Sequence, residues 1–187
     1  MGGTVFIPSF KIEQAQMIMY LLWQLREEGK IPDVLYIIDL PMGVSTFDIF
    51  FENRKWHKLS LEDYIAINNI NKMFTMITDY KETIDAIYNK ASKVVVAASV
   101  MVTGGRILSY LERYISLAET TVILEVYQAE VNWGRKLLQG AKEVKIYGKY
   151  YPVEAKILEI EGLSAHADQK GLLNWLSALA INLKKYS

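Results

Sequence analysis

A hydroxyl, an imidazole and a carboxylate recur at every second position in Leu163-Ser-Ala-His-Ala-Asp168, as Ser164, His166 and Asp168. A β-rich run, Tyr151–Ile160, leads into this stretch, and a helical pattern, Gln169–Leu183, leaves it. A strand-to-helix turn of small and polar residues can present side chains and helix-start amides to an anion. His166, one of two histidines in the chain, can take up or give a proton near neutral pH. The same residues also have a purely structural reading. Asp168 can cap the last helix, Ser164 can close a hydroxyl-stabilised turn, and His166 can be satisfied within the fold. Taken locally, the residues favour that second reading.

Other places carry weaker signals. Thr103-Gly-Gly-Arg106 offers amides unobstructed by side chains and one cation, as a phosphate cradle would. It matches neither the dinucleotide fingerprint nor the P-loop, and a flexible turn with Arg106 in solvent is the simpler expectation. Asp39, at a strand end, could act as a base or a metal ligand, but an acid there is expected to bind the amides of its own loop. His57, beside Trp56, is expected in solvent. A hydrolytic zinc centre needs several His, Asp or Glu side chains converging, usually with closely spaced histidines. The two histidines here are far apart in sequence, so no complete catalytic zinc centre is expected within these residues.

The elements that must position these groups alternate. Thr4–Ile7, Val34–Ile38, Lys93–Ala98, Thr120–Leu124 and Glu143–Tyr147 read as strands, with a possible short one between Lys72 and Ile77. Helical spacing marks 11–28, 45–56, 80–90, 106–116 and 130–139, with Gly29 and Gly140 as stops. Residues 57–72 are the least regular. Strands alternating with helices imply an α/β fold, a mostly parallel sheet with helices on both faces. Ligands of such sheets collect at the carboxyl ends of the strands. The polar loops Pro8-Ser9-Phe10, Asp39–Gly43, Ser99–Arg106 and Tyr127–Glu130 all fall there.

Composition narrows the classes. A chain of 187 residues that is 51% hydrophobic has a globular makeup and can build a full core. Twenty-one basic residues balance 21 acidic ones, so attraction for nucleic acid must be local rather than global. The absence of cysteine removes thiolate metal sites and suits a reducing, cytoplasmic setting. No apolar run approaches ~20 residues, so no membrane partner is expected. A strand that starts almost at residue one suggests a piece excised from a longer protein.

Set in order, these loops resemble the β-CASP cassette of the metallo-β-lactamase superfamily. The resemblance rests on Gly2-Gly-Thr-Val-Phe-Ile-Pro-Ser-Phe10, Glu13-Gln-Ala-Gln16, Asp39-Leu-Pro-Met42, Val95-Val-Ala-Ala-Ser99, Thr103-Gly-Gly-Arg106, Tyr127-Gln-Ala-Glu130, Gly140-Ala-Lys-Glu-Val144 and Leu163–Asp168. It spans nearly the whole chain. Such proteins are nucleases that process RNA or DNA, with RNase J-like and polyadenylation endonucleases among them.

The resemblance implies a Rossmann-like cassette, residues 1–160, that roofs a two-zinc site in a metallo-β-lactamase domain of the same parent chain. Residues 161–187 would then be a loop with the Ser-x-His motif and a helix leading back towards that domain. It also implies RNA or single-stranded nucleic acid in the groove between the domains. His166 would be the catalytic group beside the scissile phosphate, with Ser164, Ser9, Phe10 and Arg106 binding substrate. Zinc would belong to the parent protein and none to this fragment, which would be inactive alone. An apolar last helix, with Leu172, Leu176, Leu179 and Leu183 on one face, could support a homodimer. The chain departs from the family pattern at Val126, Val131 and Trp133, where two glycines and a basic residue are usual. Those changes motivate an alternative, a catalytically silent relative that serves as a binding or assembly scaffold.

Overall fold

The apolar runs of the sequence become parallel strands. The computed structural model describes residues 3–10, 14–41, 68–125, 128–160, 162 and 167–178. Its elements in chain order are β1 (Thr4–Pro8), α1 (Gln14–Glu27), β2 (Leu35–Asp39), β3 (Phe74–Met76), α2 (Tyr80–Tyr88), β4 (Lys93–Ala97), α3 (Arg106–Tyr114), β5 (Thr120–Leu124), α4 (Trp133–Leu138), β6 (Glu143–Ile146), β7 (Lys149–Pro152), β8 (Lys156–Glu159) and α5 (Gln169–Ala178). Residues 68–73, just before β3, are also helical.

Six strands form one sheet in the order β3-β2-β4-β1-β5-β8. Every pairing in it is parallel. Val95, Val96 and Ala97 of β4 are all buried, as expected for a strand covered on both sides. On the first face, Ala15, Ile18 and Met19 of α1 and Ile70 meet Ile7, Tyr36, Ile38 and Val96. On the second face, α2, α3 and α4 bring Ile87, Ile107, Leu111 and Leu137 onto Phe6, Ile37, Val95 and Val122. The α/β architecture with helices on both faces is thus as the sequence implies.

Several boundaries differ from the sequence reading. The run Tyr151–Ile160 is not one strand. Lys149–Pro152 turns back on β6 as an antiparallel hairpin, and Lys156–Glu159 joins the main sheet beside β5. The turn Tyr147-Gly148 has φ of 47° and 85°, the left-handed pair that a tight two-residue hairpin requires. Pro152, which has no amide to donate, ends β7. Helix α4 starts at Trp133 rather than 130, because Asn132 caps it by accepting the Arg135 amide at 2.9 Å. Residues 68–72, read as irregular, are helical. The helix expected over 45–56, residues 57–67 and Leu179–Leu183 lie outside the described residues. On α5, Leu172, Leu173, Trp175 and Leu176 are exposed.

Candidate functional site

The carboxyl ends of β1, β2, β4 and β5 deliver Ser9-Phe10, Asp39, the 98–105 loop and Glu125 to one edge of the sheet. Asp39 does not bind its own loop's amides, contrary to the sequence expectation. Its carboxylate is fully buried and takes two side chains of α3. The Arg106 Nη1 group donates to Oδ1 at 2.6 Å, and the Tyr110 hydroxyl donates to Oδ2 at 2.8 Å. The reason is geometric. Asp39 ends β2 facing the second sheet face, where the first turns of α3 lie.

Arg106 is not a free surface cation. It also donates to the Thr83 hydroxyl at 2.9 Å and to the Thr78 and Asp79 carbonyls at 2.8 and 3.2 Å. One guanidinium therefore ties β2, the loop before α2, and α3 together. The start of α2 is fixed by its own residues, since Asp79 accepts the Lys81 amide and Glu82 accepts the Asp79 amide, a reciprocal cap. Burial and the neighbouring Asp39 carboxylate push the Tyr110 hydroxyl far above its ordinary range, so it stays a donor.

The glycine-rich loop folds onto itself. The Val102 amide donates to the Ser99 carbonyl, and the Ile107 amide donates to the Ala98 carbonyl. Gly105, with φ of 70°, lies so close to the end of β4 that an added Cβ would stand 2.5 Å from the Ala98 oxygen. Val102 is buried with φ of 56°, in the left-handed region that β-branched residues avoid. The loss of a usual glycine here leaves a valine bearing that strain while its side chain joins the core.

Ser9 and Glu125 lie on the other face of the same edge. The β1–β5 register pairs Phe6 with Val122, and its continuation brings Ser9 level with Glu125. Ser9 is buried and donates to the Phe10 carbonyl at 3.1 Å. Glu125 is 3% exposed, and neither carboxylate oxygen has a hydrogen-bond partner among the described residues. Burial raises its pKa to about 7, and the Ser9 hydroxyl, already committed to Phe10, offsets only part of that. Phe10 is 40% exposed, with its amide donating to Gln14 Oε1 at 3.0 Å.

Of the residues singled out in the sequence, Ser9, Phe10 and Arg106 therefore share one edge, with Ser9 and Arg106 on opposite faces of the sheet. Ser164, His166 and His57 lie outside the described residues. Asp168 takes its structural role, accepting the Gly171 amide at 2.7 Å at the start of α5. Glu125 and Tyr110 escaped the sequence reading. Glu125 left one signal, an acid directly after the apolar run Val122-Ile-Leu124. Among the described residues no three His, Cys, Asp or Glu converge to hold a metal. These residues do not fit a zinc site, and no chemical step is routed through one. Among the described residues no helix is long and apolar enough to cross a membrane.

Two family models match the sequence. The Beta-Casp domain covers residues 15–137, and the Zn-dependent metallo-hydrolase RNA specificity domain covers residues 150–181. An RNase J-like protein of Methanocaldococcus jannaschii is 32% identical over 178 residues, 95% of this chain and 41% of that protein. A ribonuclease of Thermus thermophilus is 28% identical over 179 residues, 94% of this chain and 41% of its own length. The transcription termination factor FttA of Pyrococcus abyssi is 24% identical over 185 residues, with 94% of this chain and 28% of the factor covered. The chain thus spans about two-fifths or less of the length of these relatives.

Proposed function

The chain belongs to the Beta-Casp family, and we propose that it is the β-CASP portion of a metal-dependent nucleic-acid-processing hydrolase, a ribonuclease, that binds substrate phosphates at the carboxyl edge of its sheet. The observation that carries this reading is the family match joined to the gathering of Ser9, Phe10 and Arg106 at that edge. In this reading Phe10 offers an exposed ring for stacking on a base. Arg106, held in place by Asp39, turns the guanidinium N–H groups not used by Asp39, Thr83, Thr78 and Asp79 towards a phosphate oxygen. Ser9 shapes the edge beneath Phe10. His166, with Ser164 beside it, handles the proton of the leaving oxygen. Zinc belongs to a metallo-β-lactamase domain of the parent, which generates the attacking hydroxide. Residues 161–187 lead back towards that domain, and the setting is cytoplasmic.

The test uses a longer protein that carries this chain with a metal domain. His166→Ala should slow the chemical step by about 10²–10⁴-fold with zinc content unchanged. The purified 187-residue chain should cleave no RNA, with or without added zinc. Metal-dependent cleavage by the short chain would defeat the reading, as would zinc loss from the long protein on His166→Ala.

One observation favours a scaffold instead. At the position where the family carries a basic residue, Trp133 packs against the core, and Lys136 stands 4.4 Å from its ring. Val131 is left exposed beside it. If the longer protein binds zinc and RNA but hydrolyses nothing, this second reading replaces the first.

A further inference from the structure

A trough runs along the first face of the sheet, over the β1–β5–β8 half. Its volume is about 650 Å³, and Ile7, Leu22, Leu25, Ile123 and Ile160 are among the residues that line it. Topology explains why it is open. The step from β1 to β2 moves towards the β3 edge and lays α1 on the first face. The steps from β3 to β4, β4 to β5 and β5 to β8 move towards the β8 edge and carry α2, α3 and α4 on the second face. A single crossover handedness demands this segregation. None of these connections lays a helix over the β5–β8 half of the first face. A parallel sheet is normally covered on both faces.

Charge says what would fit. Glu119 borders the trough at the amino edge and Glu125 at the carboxyl edge. Lys93 also borders it, but its ammonium is taken up on the other face by the Ala86 and Asn89 carbonyls and the Tyr114 hydroxyl. Both ends of the trough are therefore acidic and its floor is apolar. Glu125 points to an occupant independently of shape, because its buried oxygens have no partners. An uncompensated acid of this kind is costly, and a cation beside it removes the cost. From Glu119 to Glu125 is the length of β5, roughly 20 Å at strand spacing.

We propose that this trough seats an amphipathic helix of about three to four turns with an apolar stripe on one face and a basic side chain near each end. The helix α5 of a second copy fits less well. It is apolar, but Lys170 at its start is its only basic residue.

The probes are fluorescein-labelled synthetic peptides of about 14 residues, with a leucine stripe and lysine, glutamine or glutamate at both ends. They are titrated against the 187-residue chain by anisotropy. The lysine-ended peptide should bind saturably and at least about tenfold more tightly than the glutamate-ended one. Ile123→Asp should abolish binding of all three while leaving the circular dichroism unchanged. Glu125→Gln should weaken the lysine-ended peptide about tenfold and leave the glutamine-ended one unaffected. Glu119→Gln, on the exposed rim, repeats that comparison should the buried substitution disturb folding. The proposal fails if no peptide binds saturably or if the lysine and glutamate versions bind alike. It also fails if sedimentation shows a dimer that Ile123→Asp dissociates, which would assign the trough to a second copy.

Discussion

Removing the Arg106 guanidinium tests how the carboxyl edge is held. In Arg106→Ala, Asp39 would keep its place at 0% exposure with only the Tyr110 hydroxyl as partner. Breaking a buried pair by deleting one member costs about 3–5 kcal/mol, because the surviving charge is stranded. The carbonyls of Thr78 and Asp79 lie nearer the surface, where water can replace the lost donors at little cost. A domain stable by about 5–15 kcal/mol would thus lose a large part of its stability. Arg106→Lys keeps the charge but cannot span Asp39, Thr83 and Thr78 together, so roughly 1–3 kcal/mol should be lost. Asp39→Asn combined with Arg106→Met removes both charges, and its cost should fall short of the summed single costs by about 2 kcal/mol or more. Urea unfolding followed by circular dichroism gives all four values. A loss under about 1 kcal/mol for Arg106→Ala, or additive single costs, would refute the view that this pair ties β2, α2 and α3 together.

Glu125 should make stability fall with pH. Its folded pKa, about 7, stands above the model value of 4.5, so the folded state binds the proton more tightly. The stability is present below about 4.5 and lost as pH rises through about 7, up to about 3 kcal/mol in all. Melting temperatures of Glu125→Gln across that window should lose this slope, and an unchanged slope would contradict it. Gly105→Ala combines a forbidden φ with a close approach to the Ala98 carbonyl, so it should cost roughly 2–5 kcal/mol in the same urea assay; near-neutrality would show that the 98–105 loop can move aside.

The alternation of strands and helices was legible because β1, β2, β4 and β5 are continuous apolar runs and α1 and α3 keep helical spacing. The stops were legible too. The Gly29 amide closes on Arg26 and the Gly140 amide on Leu137. The split of 149–160 into a hairpin strand and a sheet strand was not, since both halves carry the same residue types and only long-range pairing separates them. The site shows the same divide. Ser9, Phe10 and Arg106 could be assigned to one edge from their places after strands. Which face each occupies, and that Arg106 pairs with an acid 67 positions away, depends on helix placement that local sequence does not encode. Glu125 stayed hidden for the same reason, because an acid at a strand end is usually a loop residue and its burial comes from β1 and β8 on either side.

The order of strands also sets a schedule for synthesis. β1 leaves the ribosome first, yet its two partners are β4, paired from Lys93, and β5, paired from Thr120. At about 5–20 residues per second, β1 waits several seconds with both hydrogen-bonding edges vacant. During that time Val5-Phe-Ile7 is an adhesive segment rather than a core strand. Yield in a cell should therefore depend on translation speed between α1 and β4 and on chaperones that shield β1. Slow codons in that interval would lengthen the exposure, while the thermodynamic stability of the finished molecule stayed the same.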